Sequence, residues 1–176
     1  MIAYASRTGT KRNLAALRKA NWRLLVSAKG VLRNEGFRYA LDNGAWSSFQ
    51  AGLPFDVAAF EKAVDLLGAD ADFVVVPDIV EGGLESLRFS LVWLKRLEGI
   101  GRRRLIAVQD GMDVDDVRPH LGPTVGIFLG GSTEWKLSTM QSWGMLARKT
   151  GAYFHVGRVN TAKRIKMCSL CGADSF

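Results

Sequence analysis

The sequence contains no apolar run longer than a strand, and only two cysteines, two histidines and four prolines in 176 residues. The first absence excludes a membrane-spanning helix, which needs about 20 predominantly apolar residues in a row. The opening residues, from Met1 into Ile2–Ser6, show no basic segment, apolar segment or small-residue cleavage site. No secretory leader is therefore expected, and the expected location is cytoplasmic. Cys168 and Cys171 form a lone C-x2-C pair with neither a second pair nor neighbouring histidines, whereas structural zinc takes four protein donors. Their spacing falls in a helical segment, which reads as two reduced, partly buried thiols, and no metal or other cofactor is expected. No repeat, low-complexity tract or linker divides the chain, so residues 1–176 read as a single domain.

A hydrophobic content of 48% is enough to bury a real core. Lys and Arg number 24 against 17 Asp and Glu, a formal net charge of +7. The cations cluster at Lys11 and Arg12, at Arg102–Arg104, and at Arg158, Lys163, Arg164 and Lys166. Such clustering favours a polyanionic partner, because each phosphate contact releases condensed counterions. Composition does not choose among DNA, RNA and a phosphorylated metabolite.

Strand-like apolar runs occupy residues 2–5, 23–28, 37–41, 72–77, 104–109, 125–129 and 152–156, and an eighth begins near Ala173. Segments with apolar residues at three and four spacing lie in most of the gaps: TKRNLAALRKA, FDVAAFEKAVDLLG, LESLRFSLVWLKRL, VDDVRPHL, TEWKLSTMQSWGMLARKTG and NTAKRIKMCSLCG. AKGVLRNEG, the second gap, is too short for more than one helical turn. Alternating strands and helices imply parallel pairing with right-handed crossovers, and eight strands make a (β/α)8 barrel. The chain is short for that fold and has no helix after its last strand, so the expectation is either a fragment or a barrel that is minimal or incompletely closed. An open doubly wound sheet is the alternative.

Most strands end in a polar or glycine-rich tip, the place where parallel sheets build their sites. Asp42 ends FRYAL and is followed by Asn43, Gly44, Ala45 and Trp46, so an acid leaves the strand at a glycine turn beside an indole able to stack on a planar ligand. Asp78 follows Pro77 after a buried apolar run and reads as a ligand-facing carboxylate or a helix cap. Gln109 can donate and accept, which suits the edge of a heterocycle. Gly130 and Gly131 permit close backbone approach, a phosphate cradle being one reading, although neither a GxGxxG nor a Walker pattern is present. At the seventh tip, His155 reads as a structural residue and Arg158 as an anion contact.

In their order, these tips resemble the tRNA-guanine transglycosylase superfamily, in particular its short phage and bacterial members that put 7-deazaguanine bases into DNA. The resemblance runs from about Tyr39 to Phe176. The family's Asp-Ser-Gly-Gly-aromatic segment is similar to Asp42–Trp46, its Asp-Ile-Val to Asp78, Ile79 and Val80, its Val-Gln-Gly-Gly to Val108–Gly111, and its paired glycines to Gly130 and Gly131. The resemblance implies exchange of guanine for a deazapurine through a covalent Asp–C1′ intermediate, after the target nucleotide has left the stack. It implies Asp42 as acid/base, with Asn43, Asp78, Gln109 and the backbone at Gly130 and Gly131 on the purine edge, and Trp46 and Val156 on its faces. Arg158, Lys163 and Arg164 are the expected phosphate contacts. The family's nucleophile closes an Asp-x-x-Asp segment, and Ala173–Phe176 supplies only its first acid, Asp174, which serves as nucleophile only with a shifted register. The family's downstream zinc cluster has no counterpart, which favours DNA over tRNA as partner. Two other functions are open to the sequence: a small-molecule barrel enzyme acting on a phosphorylated or carboxylated metabolite, with Lys29 as a Schiff-base lysine, and a non-catalytic nucleic-acid-binding remnant.

Overall fold

A computed structural model describes residues 1–176. In chain order the elements are β1 (Tyr4–Ser6), α1 (Lys11–Lys19), β2 (Arg23–Ser27), β3 (Tyr39–Asp42), α2 (Ala45–Gln50), α3 (Val57–Leu67), β4 (Val74–Val75), α4 (Gly83–Arg96), β5 (Arg104–Val108), α5 (Val114–Val117) with a 3-10 turn at Arg118–His120, β6 (Val125–Leu129), α6 (Thr133–Thr150), β7 (Phe154–Val156) and α7 (Ala162–Leu170). All seven strands are parallel and lie side by side in chain order. The sheet curls until its two edges reach the same short segment. Ser175 bridges in parallel to Ile2 on one side and to His155 on the other. Backbone bonds run from Ile2 N to Asp174 O (2.8 Å), Tyr4 N to Phe176 O (2.8 Å) and Val156 N to Ser175 O (3.0 Å).

Strand residues alternate between the inside of the curl and the helix layer, as the two-residue period requires. Tyr4, Ala40, Phe73, Val75, Leu105 and Ala107 pack inside, with Leu25 and Phe128 against them. The intervening residues face the helices. Leu24, Val26, Leu41, Val74 and Val76 meet Phe60, Ala63 and Trp93, while Ile106, Val108, Ile127, Leu129, Phe154 and Val156 meet Met140, Trp143 and Leu146. Burial on both faces explains why these strands read as near-continuous apolar runs. At the amino ends of the strands, Asp72 accepts from the Tyr4 hydroxyl (3.0 Å), Arg23 Nη1 (2.9 Å) and Arg38 Nη2 (2.7 Å), which satisfies an otherwise costly buried carboxylate.

Helices α3, α6 and α7 start at side-chain caps: Asp56 accepts from Ala59 N, Ser132 from Trp135 N and Thr161 from Arg164 N. Residues 28–38 form turns without a helix. Two elements differ from expectation. After the left-handed turn at Gly44 (φ 79°), the chain winds directly into α2, a helix the turn signals did not announce. The VDDVRPHL segment yields only one α-turn before tightening into 3-10 geometry, where Pro119 has no N–H to continue the ladder. Cys168 is buried and Cys171 half-buried, both as free thiols, and burial pushes the Cys168 thiol up to about 11. No helix is long and apolar enough to cross a membrane.

Candidate functional site

A cavity of about 1000 Å³ opens at the carboxyl ends of the strands. Asp42, Asn43, Trp46, Asp78, Gln109, Gly130, Gly131 and Arg158 all line it, so eight residues singled out in the sequence meet at one place. Asp42 is brought inward by the alternation along β3, two residues beyond Ala40 of the inner cluster. Asn43 then locks the turn: its Oδ1 accepts from Ala45 N (2.9 Å), and its Nδ2 donates to Val76 O (2.8 Å) and to Asp78 Oδ1 (2.7 Å). One amide thus ties the β3 tip to the β4 tip and holds the second acid in place.

Both acids depart from ordinary carboxylates. Burial pushes Asp78 up to about 6, against the Asn43 hydrogen bond and with a further upward push from the Asp42 charge. Burial also raises Asp42, although the Gly44 N–H and the Ser27 hydroxyl favour its ionised form. A carboxyl near 6 exchanges its proton close to neutrality, the property an acid/base group needs.

Gln109 is more constrained than the sequence suggested. Its Nε2 donates to Ile79 O (2.9 Å) and to Ser86 Oγ (2.8 Å), which uses both amide hydrogens and leaves the carbonyl oxygen as its group for a ligand. Ser86 also accepts from Ile79 N (3.0 Å), and Ser90 Oγ donates to Pro77 O (2.8 Å). These fully buried serines were not recognised in the sequence. Their signal is two hydroxyls four apart on the buried face of LESLRFSLVWL, where each must find a partner. They fix the segment on either side of Asp78.

The glycine pair is not a phosphate cradle. Asp110 Oδ2 accepts from Ser132 N and Asp110 Oδ1 from Ser132 Oγ, both at 2.6 Å, so the chain's own carboxylate fills the start of α6. Burial opposes ionisation of Asp110, but the two bonds from Ser132 and the nearby Arg158 charge hold it below the usual carboxylate range. Gly131 has φ 71°, and a Cβ there would lie 2.6 Å from Asp110 Oδ2 and 2.8 Å from the Trp135 ring. Only glycine satisfies both the backbone and that space.

Arg158 reaches across the opening. Its Nη2 donates to Gly131 O (2.6 Å), its Cζ stands 4.4 Å from the centroid of the Trp46 ring, and its backbone is left-handed (φ 56°). One face of the indole expected to stack on a base is therefore covered by a guanidinium. Lys163 and Arg164 lie in the first turn of α7, at the same end of the sheet but outside the cavity, and Arg164 Nη1 donates to Asn160 Oδ1 (3.0 Å). The Arg102–Arg104 cluster leads into the amino end of β5, away from the opening.

Three expectations are corrected. Val156 does not face the cavity: the alternation turns His155 inward, and Val156 is fully buried against the helices. Asp174 Oδ2 accepts from Phe154 N (2.8 Å) at the amino end of β7, far along the sheet from the acids at the opposite tips, and it does not line the cavity. Lys29 also lies outside it, its Nζ paired with Asp56 Oδ2 at 2.7 Å. His155 lines the cavity as a structural residue, stacked on Phe128 (4.9 Å between centroids) with Nδ1 at 2.8 Å from Ser175 Oγ. Burial lowers it to about 3, so it stays neutral.

A parallel α/β sheet whose carboxyl end holds a cavity with two buried acids, Asp42 and Asp78, is the class these features define. Comparison with known protein families, with curated proteins and with solved structures finds no match for this chain.

Proposed function

We propose that this chain is a guanine-transglycosylase-like base-exchange domain that replaces guanine in DNA with a 7-deazaguanine, built on a (β/α)8 barrel whose eighth strand is residues 174–176. The observation that carries this reading is the convergence of Asp42, Trp46, Asp78 and Gln109 on one cavity. The Gln109 carbonyl and the Asp78 carboxyl offer acceptors, the complement of the N1–H and 2-amino donors on a guanine edge. A proton held on Asp78 near neutrality, or the backbone N–H of Gly131, serves the 6-oxo group; the Gly130 N–H is already donated to Val108 O (2.9 Å). The net charge of +7 supports a polyanionic substrate.

The reaction is a double displacement. A carboxylate attacks C1′ as the C1′–N9 bond breaks; guanine leaves with the bonding pair and takes a proton from an acid of the cavity. The incoming deazapurine, relieved of a proton by the same group, then attacks C1′ and releases the carboxylate with overall retention. Asp42 is the acid/base in this scheme. The resemblance puts the attacking carboxylate immediately after Phe176. Ser175 turns its hydroxyl inward to His155, so by the two-residue period the position following Phe176 shares that inward face.

The test is incorporation of labelled guanine or 7-cyano-7-deazaguanine into guanine-containing DNA by the chain with an aspartate supplied directly after Phe176. Exchange is expected, with Asp42→Asn lowering it by about 10²-fold or more while DNA binding persists. Absence of incorporation rejects the reading; salt-sensitive DNA binding without exchange would mark a nucleic-acid-binding domain instead.

A further inference from the structure

The opening of the cavity is spanned by a contact the proposed reaction does not use. Arg158, from the loop after β7, lays its guanidinium over Trp46, in the first turn of α2, and donates to Gly131 O in the loop after β6. Arg158 and Trp46 both line the cavity, Trp46 is 40% exposed, and Arg158 is exposed. A guanidinium and a nucleobase compete for the same indole face, because each is a planar group held by the ring's π-system. A base stacking on that face must therefore displace Arg158.

From this we infer that Arg158 is a specificity-determining residue, making the cavity favour a purine that carries phosphate over a free purine. The inference rests on the proposed reading of the cavity as a purine site. A free base entering the site breaks the Arg158–Trp46 contact and gives the released guanidinium nothing in return. A nucleotide within a DNA strand breaks the same contact but brings phosphate oxygens, and a guanidinium fork pairs with phosphate through two N–H groups. The Asp110 carboxylate, on which the Arg158 charge acts, is already held by Ser132 N and Oγ at 2.6 Å. The backbone at Arg158 is left-handed (φ 56°), a conformation that non-glycine residues adopt only rarely.

The experiment compares the wild-type chain with Arg158→Ala and Arg158→Lys, measuring the affinities of guanine and of a guanine-containing single-stranded oligonucleotide across a salt series. Binding is followed by 19F NMR on 5-fluorotryptophan-labelled protein, the Trp46 signal being the one lost in Trp46→Phe. Arg158→Ala is expected to bind guanine about two- to fivefold more tightly, the equivalent of one exposed cation–π contact. It is expected to bind the oligonucleotide more weakly, with a log–log salt slope smaller by about one. Arg158→Lys keeps the salt slope but, lacking the planar fork, relaxes the preference. Equal changes for both ligands, or an unchanged guanine affinity in Arg158→Ala, would overturn the inference. If neither protein binds guanine, the purine reading itself fails, and the release step is read alone with inorganic tripolyphosphate. Movement of the wild-type Trp46 signal toward its position in Arg158→Ala then upholds only the release of Arg158 by phosphate, no movement overturns that as well, and in both cases the preference for a phosphate-bearing purine falls with the purine reading.

Discussion

Replacing Asp78 by Asn separates what the second acid does for function from what it costs the fold. Its carboxyl is raised from 3.8 to about 6, chiefly by burial. At about 1.4 kcal/mol per pH unit, the ionised form is penalised by ~3 kcal/mol in the folded state. The sign follows from proton linkage: between pH 3.8 and 6 the folded chain holds more protons than the unfolded one, so this group's contribution to stability falls as pH rises through that window. At pH 8 the penalty is complete, whereas at pH 5 it is about half as large, ~1.5 kcal/mol. An Asn at 78 keeps an Oδ1 to accept from Asn43 Nδ2 and carries no charge to desolvate. Asp78→Asn should therefore be more stable than wild type by ~2–3 kcal/mol at pH 8, a gain that shrinks by ~1.5 kcal/mol at pH 5, while the same substitution in the aspartate-extended chain should abolish the proposed purine exchange. Urea unfolding of both proteins at pH 5, 6, 7 and 8 measures this directly. A variant that is less stable at pH 8, or whose gain does not change between pH 5 and 8, would refute the account of Asp78 as a buried acid held for its chemistry.

Other predictions follow from the same geometry. His155, lowered by burial to about 3, gives the opposite slope: the unfolded chain takes up its proton first, so wild type should lose ~2 kcal/mol from this group between pH 7 and 5, and His155→Gln should abolish that component of the urea pH profile. Val156→Ala should cost ~2 kcal/mol through the space left against the helices and leave guanine affinity unchanged; a calorimetric affinity that falls with it would put Val156 back in the site. Asp174→Ala should lower stability by ~1 kcal/mol through the lost bond to Phe154 N, with exchange by the aspartate-extended chain unaffected.

The fold was legible to the extent that it depends on local pattern. Apolar runs separated by amphipathic segments with Asp, Ser and Thr caps gave the order of strands and helices, and the polar tips gave the end of the sheet at which the cavity opens. Position along a strand could be read; the face of a strand could not. Val156 lies at the right height but one residue out of phase, and phase is set by register against β6, where Phe128 and Leu129 pair with His155 and Val156. Asp174 shows the complementary failure: it has the right residue type on the last segment, but that segment contributes its amino end there, alongside the start of β7.

What the sequence could least supply was the state of its own functional groups. Gln109 promised both a donor and an acceptor, but Ser86, 23 residues earlier, and Ile79 use the donors. Trp46 promised an open face, but Arg158 covers one. Gly130 and Gly131 promised room for an anion, but Asp110 brings one from the neighbouring tip. In each case a polar or aromatic group at the site is engaged by a residue distant in the chain, as groups withdrawn from bulk water must be. The chemistry left to a ligand is what these contacts leave unused: the Gln109 carbonyl, the exchangeable proton of Asp78, the Asp42 carboxyl and an indole face whose occupant can move. That remainder is richer in acceptors than in donors, which argues for a ligand edge rich in N–H groups, and a base stacking on the covered indole face must displace Arg158.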